Sequence, residues 1–224
     1  MSAAAIVVAG GQGTRMGAAL PKQYLRICGV PVLLRAVRPF LEHPGIDQTI
    51  VVLPPSDAAA PPEWLSALDV RIAAGGAHRG DSVWNGLAAV DQAVQTVLVH
   101  DGARPFVDAP MISRVLQGAA SGGAIAAIAV SDTLKEVDAD GMVIGTPDRS
   151  RFWRAQTPQG FPRETLMDAY RAAREAGFSG TDDAAIFAWF GGTVRVVQGS
   201  GANIKVTHPE DLVLAERLAE HSLP

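Results

Sequence analysis

The stretch that most constrains the fold is the first ten residues. Ala3 to Ala9 is a near-continuous apolar run, and it feeds directly into Gly10-Gly-Gln-Gly-Thr-Arg-Met-Gly17. An apolar run this short, bounded by glycines, reads as a strand covered on both faces, as in a sheet flanked by helices. Glycines just after such a strand let the backbone approach a ligand closely and aim successive N–H groups at an anion.

The rest of the chain repeats the theme. Thr49 to Leu53 is a second buried strand that Pro54-Pro55 ends, Val70 to Ala73 a short third, Val97 to Val99 a fourth, and Ala124 to Val130 a fifth. Between them lie helical patterns at Val32 to Leu41, with Pro31 at its start, at Ser82 to Val90, capped by Asp81 or Ser82, and at Met111 to Ala119. This alternation predicts an α/β fold: a doubly wound, Rossmann-like, mostly parallel sheet with helices on both faces. After Val130 the pattern changes. Thr133 to Val137 and Met142 to Thr146 flank Asp138-Ala-Asp-Gly141, a hairpin signal, and predict a β-hairpin arm over about 132–150 that projects from the sheet. The chain returns through Gln156 to Gln159. Helices are expected at 162–176 and 181–190, strands at Val194 to Val197 and Asn203 to Val206, and a last helix from Pro209. No linker or repeat divides the sequence, so a single domain over 1–224 is expected.

Composition excludes several classes. A net charge of -4 gives no broad basic face for nucleic acid. No run of about 18 apolar residues suggests a membrane span, and the N-terminus lacks a basic, signal-like start. The lone Cys28 permits no intrachain disulfide, fits a cytoplasmic protein, and is expected to be a buried small residue.

The chemistry concentrates in the loop. It is not a Walker A loop, because no Gly-Lys-Ser/Thr follows. It is not a dinucleotide fingerprint, because residue 16, where the third glycine would fall, is Met16. Arg15 and Lys22, in Arg15-Met-Gly and Pro21-Lys-Gln, follow the glycines and are suited to meet an α-phosphate from two sides.

These residues resemble the signature of sugar-phosphate nucleotidyltransferases. Later motifs narrow the resemblance: His100-Asp-Gly-Ala-Arg-Pro105, Asp132-Thr-Leu-Lys135, Gln156-Thr-Pro-Gln159, Thr181-Asp-Asp-Ala184 and Asn203-Ile-Lys-Val-Thr-His-Pro-Glu-Asp-Leu212. In order and spacing the set is similar to the 2-C-methyl-D-erythritol 4-phosphate cytidylyltransferase family, over essentially the whole chain. The resemblance implies attack of the acceptor's phosphate on the α-phosphorus of CTP in the non-mevalonate isoprenoid pathway. Arg15 and Lys22 would be catalytic. Ala9, Gly10, Gly11, Gly13, Gly76 and Ser82 would hold the nucleotide. Asp101, Arg104, Thr133, Arg149, Thr157, Thr181 and Lys205 would bind the acceptor. It also implies Mg²⁺ held mainly by the CTP phosphates, no dedicated metal-ligating residues, and a homodimer joined by the arm. Departures are Val8 where the family often has proline, and Gly10 and Gly102 where it often has alanine. The nearest alternative is a ribitol-5-phosphate cytidylyltransferase. Ala103 before Arg104, Lys135 and Thr181-Asp-Asp favour the methylerythritol phosphate enzyme. An alternative of another class is a non-catalytic nucleotide-binding module, against which Arg15 and Lys22 stand.

Replacing either cation tests this reading. Lys22→Ala and Arg15→Ala should each lower turnover by roughly 10²–10³, with acceptor binding weakened far less, since charge builds at the α-phosphate only in the transition state. Steady-state kinetics check this; unchanged turnover with only a raised acceptor KM would assign the cation to uniform binding.

Overall fold

The computed structural model describes residues 2–11 and 21–221. The first strand, β1 (Ala3–Val8), sits near the middle of the sheet and is buried on both faces. A short hairpin of β2 (Arg26–Ile27) and β3 (Val30–Pro31) leads into α1 (Val32–Leu41). Next come β4 (Gln48–Leu53), the short helices α2 (Pro55–Ala59) and α3 (Glu63–Ser66), β5 (Arg71–Ala74) and α4 (Arg79–Ala88). The second half opens with β6 (Thr96–Asp101), α5 (Ala109–Gly118) and β7 (Gly123–Ala129). The arm carries β8 (Glu136–Val137) and β9 (Val143–Gly145). The chain ends with β10 (Trp153–Pro162), α6 (Arg163–Glu175), α7 (Asp183–Trp189), β11 (Val194–Gln198) and α8 (Pro209–His221).

The large sheet has seven strands in the order β11-β7-β10-β6-β1-β4-β5. Every neighbouring pair is parallel except the two made by β10. From β1 the chain winds outward through β4 to β5, then returns to place β6 on the other side of β1. The reversal leaves a crevice beyond the carboxyl ends of β1 and β6, where Val8 pairs with Asp101.

Period-two alternation builds both layers. Ala4 and Ile6 join Val83 and Leu87 of α4, Leu166 and Tyr170 of α6, and Phe187 of α7 on one face. Ala5 and Val7 join Leu33, Val37 and Phe40 of α1 with Met111, Ile112 and Val115 of α5 on the other. A satellite cluster of Ile27, Val32, Val206, Ala215 and Ala219 docks α8 against the small hairpin.

The expected α/β sheet is present, with four differences in detail. The return through Gln156 to Gln159 is part of a full strand, β10, in the middle of the sheet, with a register shift between Ala155 and Gln159 and a cis Thr157-Pro158 bond. Residues 203–206 form no strand; local turn bonds from Asn203 N to Ser200 O (3.1 Å) and Ile204 N to Ala202 O (2.8 Å), a bond from Val206 N to Ala103 O (2.8 Å) and the buried side chain of Asn203 hold them. Helix α4 begins at Arg79, not Ser82, because Asp81 turns back to accept from the N–H of His78 (3.1 Å) and so starts the helix one turn earlier. Cys28 is exposed rather than buried. With Gly29 it makes the two-residue turn between β2 and β3, where both take positive φ (47° and 78°), and its Sγ lies 3.8 Å from Glu216 O.

The arm is a hairpin, as expected, with Val137 opposite Val143. The Asp138 carboxylate accepts from the N–H groups of Asp140 (3.0 Å) and Met142 (2.9 Å), and Gly141 supplies the positive φ (80°).

Helix α4 lies so close to the sheet that a Cβ on Gly86 would collide with Cγ2 of Ile6 and crowd Val52. Gly86→Ala gains about 1 kcal/mol of helix propensity but overpacks by roughly 1–3 kcal/mol. The expected result is a net loss of up to about 2 kcal/mol in urea unfolding; raised stability would show that α4 has room to move away from the sheet.

Candidate active site

Topology places the site. The carboxyl end of β1 delivers Val8, Ala9, Gly10 and Gly11 to one wall of a cleft. Lys22 and Gln23, in the 3₁₀ turn after Pro21, form another part of the rim. The end of β5 and the start of α4 bring Gly76, His78, Arg79 and Ser82, and the end of β6 brings Asp101, Gly102 and Ala103. Lys205 closes the far side. The strand ends are tied by backbone bonds: Ala9 N to Val52 O (2.8 Å), Gly75 N to Leu53 O (2.7 Å) and Gly102 N to Val8 O (2.9 Å). Ser82 is buried; its hydroxyl accepts from Gly76 N–H (3.1 Å) and donates to His78 O (3.2 Å), which fixes the turn before α4.

The expected nucleotide-binding residues Ala9, Gly10, Gly11, Gly76 and Ser82 thus share one cleft with Lys22, Asp101 and Lys205. Arg15 and Gly13 lie outside the described residues. An adjoining depression is lined by Asp101, Arg104, Thr157, Thr181 and Lys205, so these members of the expected acceptor set also converge. Thr133 and Arg149 line neither space; both are exposed, and Arg149 donates to Ser131 O at the base of the arm.

Asp101 is the centre of charge. Its carboxylate meets Lys205 Nζ at 2.8 Å, Arg79 Nε at 3.3 Å and Arg104 Nε at 3.7 Å. Burial alone would raise the Asp101 carboxyl, but Arg79, Lys205 and Arg104 hold it well below the usual carboxylate range. A carboxylate held so firmly ionised is a poor proton acceptor at neutral pH. Its suitable work is to orient cations and hydroxyl groups. Burial lowers the affinity of Arg104 for its proton, although Asp101 opposes that effect.

Arg79 is the residue that sequence reasoning passed over. Its guanidinium donates twice to Asp183 (3.0 and 2.8 Å), whose side chain is fully buried and also accepts from Tyr170 Oη. Burial disfavours the charge on Arg79, yet Asp183 and Asp101 together raise its pKa. The motif Gly75-Gly-Ala-His-Arg79 contained the signal, but its acidic partners lie 22 and 104 residues away in sequence.

The polar residues of β10 are scaffold. Gln156 bonds to both Ser200 O (2.8 Å) and Ser200 N (3.2 Å). Gln159 accepts from Ala184 N–H (3.0 Å) and donates to Asp182 (2.8 Å), which itself caps α7 through Ala185 N–H (2.9 Å). Thr157 is buried and lies behind Asp101. Its Oγ1 accepts from Asp101 N–H (3.0 Å) and is 2.9 Å from His100 Nδ1. His100 Nε2 is 3.1 Å from Arg104 O. A carbonyl only accepts, so Nε2 carries the proton, Nδ1 accepts, and the Thr157 hydroxyl donates to it. The Thr157 hydroxyl and both ring nitrogens of His100 are then satisfied, with a neutral imidazole.

No cluster of three or more His, Cys, Asp or Glu residues suited to a metal occurs among the described residues. No helix of the described chain is long and apolar enough to cross a membrane.

A family model described as IspD, 2-C-methyl-D-erythritol 4-phosphate cytidylyltransferase, matches residues 3–221. The chain belongs to this family. A 2-C-methyl-D-erythritol 4-phosphate cytidylyltransferase from Syntrophus aciditrophicus (strain SB) is 46% identical over 95% of this chain and 93% of its own. A bifunctional enzyme IspD/IspF from Rhodopseudomonas palustris (strain HaA2) is 48% identical over 93% of this chain; the match spans 53% of that relative, about half its length. The crystal structure of 2-C-methyl-D-erythritol 4-phosphate cytidylyltransferase from Thermus thermophilus superposes with a TM-score of 0.84 at 36% identity, covering 98% of this chain and 100% of that one. The mostly parallel sheet of this family is therefore the fold seen here.

The neutral histidine gives a pH test. Burial pushes the His100 imidazole down to about 4. In the unfolded chain it protonates near its ordinary value of about 6.5. Its contribution is therefore complete above that value and is lost as pH falls toward 4, by at most about 3 kcal/mol. Urea unfolding at pH 7 and pH 5 should differ by about 2 kcal/mol from this residue, and His100→Gln should reduce that difference. An equal pH dependence in the variant would show that His100 is not buried neutral.

Proposed function

We propose that this chain transfers the cytidylyl group of CTP to 2-C-methyl-D-erythritol 4-phosphate, giving 4-diphosphocytidyl-2-C-methyl-D-erythritol and pyrophosphate in the non-mevalonate isoprenoid pathway. The observation that carries the reading is the cleft at the ends of β1 and β6, which joins the glycine-rich backbone, Lys22 and Ser82 to Asp101 and Lys205. Membership of the family supports the same reading.

The reaction asks little of proton transfer. An acceptor phosphate oxygen, already ionised, attacks the α-phosphorus in line. The bond from that phosphorus to the β-phosphate oxygen breaks, and pyrophosphate leaves with the electron pair. Catalysis then rests on placement and on charge neutralisation. In this reading Arg15 and Lys22 face the α-phosphate. Ala9, Gly10, Gly11, Gly13, Gly76 and Ser82 hold base, ribose and phosphates. Asp101, Arg104, Thr157, Thr181 and Lys205 serve the acceptor, with Thr157 acting through the backbone of Asp101. Mg²⁺ fits this reading through the triphosphate's own oxygens, a usual arrangement for that ion: among the described residues lining the cleft the one carboxylate, Asp101, is already engaged by Lys205, Arg79 and Arg104. When bound, the ion supplies further neutralisation of triphosphate charge.

A single domain over 1–224, a cytoplasmic location and a homodimer complete the reading. For the dimer the support is the arm. Val137, Met142, Val143 and Ile144 are 52–66% exposed, and an isolated two-stranded hairpin is marginal in water. Thr133 and Arg149 belong to the acceptor set by motif yet stand on this arm. An arm that crosses to a second copy would cover the apolar residues and bring Thr133 and Arg149 to the partner's cleft.

Pyrophosphate release with methylerythritol phosphate, assayed across the four nucleoside triphosphates, tests the activity; turnover with CTP is expected, and turnover with ribitol 5-phosphate in its place would favour the alternative acceptor. The arm is tested by mixing Lys22→Ala subunits with Arg149→Ala subunits. Crossed arms put both lesions in one site, so activity should return toward one working site per heterodimer. Confirmed subunit exchange without recovery would assign the arm to its own subunit.

A further inference from the structure

Arg79 lies where two halves of the cleft meet. It is the first residue of α4, the helix that carries Ser82 and the nucleotide wall. Its partner Asp183 begins α7, two residues after Thr181 on the acceptor side. The paired contact between them is planar and two-pronged, and Asp183 is held in turn by Tyr170 of α6. Such a fork fixes the plane of a guanidinium, so its third donor, Nε, has a set direction. That direction is toward Asp101, 3.3 Å away.

Arg79 is therefore more than the counter-ion of a buried acid. Lys205, on a flexible four-carbon stem and part exposed, also reaches Asp101, but through a single ammonium nitrogen that fixes no plane. Arg104 approaches Asp101 at 3.7 Å while donating to Asn203 O at 2.7 Å. Among the described residues, Arg79 gives the Asp101 carboxylate its most firmly fixed side-chain donor. We propose that Arg79 is a positioning residue of the transfer reaction: clamped by Asp183, it aims Asp101 at the acceptor and locks the nucleotide helix to the acceptor loop. This rests on the functional reading above and adds to it a residue that none of its motif assignments includes.

Removing Arg79 alone leaves Asp183 buried and unpaired, which can unfold the chain. The decisive variant is the pair Arg79→Gln with Asp183→Asn, which removes both charges together and keeps an acceptor for Tyr170. Its melting temperature is measured first, then the dissociation constant for CTP, then kcat and KM for methylerythritol phosphate. The proposal expects a folded protein with CTP affinity within about threefold of wild type and acceptor kcat/KM lowered about 10–100-fold, the scale of a misplaced reacting group. Arg79→Lys, which keeps the charge and loses the fork, should fall on the same side. If the paired variant handles the acceptor like wild type, Arg79 serves only to neutralise Asp183 and the proposal is wrong. If the paired variant fails to fold, Arg79→Lys decides, and normal acceptor kinetics there overturn it. A wild-type chain that released no pyrophosphate would sink the functional reading and this proposal together, whereas an active wild type with an unaffected variant would sink this proposal alone.

Discussion

The rest of the site depends on one buried carboxylate. Asp101 ends β6 at the point where the winding of the sheet reverses, and a negative charge buried there is costly. Lys205, Arg79 and Arg104 answer that cost and bring positive charge in excess of it. The acid therefore acts as an organiser. It gathers cations from α4, from the turn after β6 and from the 199–206 segment into one small volume. An anionic acceptor entering that volume meets fixed dipoles and charges that need little reorganisation, which is how such sites lower barriers.

Behind the carboxylate stands a neutral polar relay, with Thr157 and His100 holding the backbone of Asp101 and reporting to Arg104. Beyond it, Gln156 and Gln159 tie the antiparallel strand to the two loops that flank the depression beside Asp101. These buried polar groups satisfy one another, so they specify geometry rather than merely add stability. A central strand that carries Gln156-Thr-Pro-Gln159 makes sense in this setting. Its side chains are selected for the loops they hold.

That also explains what could be read from the sequence. The parallel strands were legible because Ala3 to Val8, Thr49 to Leu53 and Val97 to Val99 are short apolar runs with helices between them. The arm was legible because Asp140-Gly141 is a local turn signal. The cleft wall made by Gly10 and Gly11 was legible because glycines after a first strand have few other uses. β10 was not, since Gln156-Thr-Pro-Gln159 has neither apolar content nor alternation, and its partners are distant loops. Residues 203–206 resemble a strand by composition, but their one ladder-like bond goes to Ala103 in a turn. Cys28 was misjudged because its type favours burial while its place in a two-residue turn forbids it. Arg79 stands in the Gly75-Gly-Ala-His-Arg79 motif, but what makes it an organiser rather than a solvated charge is a pair of acids 22 and 104 residues away, which only the fold brings together.

The most direct test of this account is Asp101→Asn, which keeps the shape and removes the charge. If Asp101 organises the acceptor and is not a base or a nucleotide ligand, the variant should fold, bind CTP at least as tightly because a negative charge has left a cationic cleft, and lose about 100-fold in kcat/KM for methylerythritol phosphate. Unchanged acceptor kinetics, or a loss confined to CTP binding, would contradict the claim that this carboxylate arranges the site.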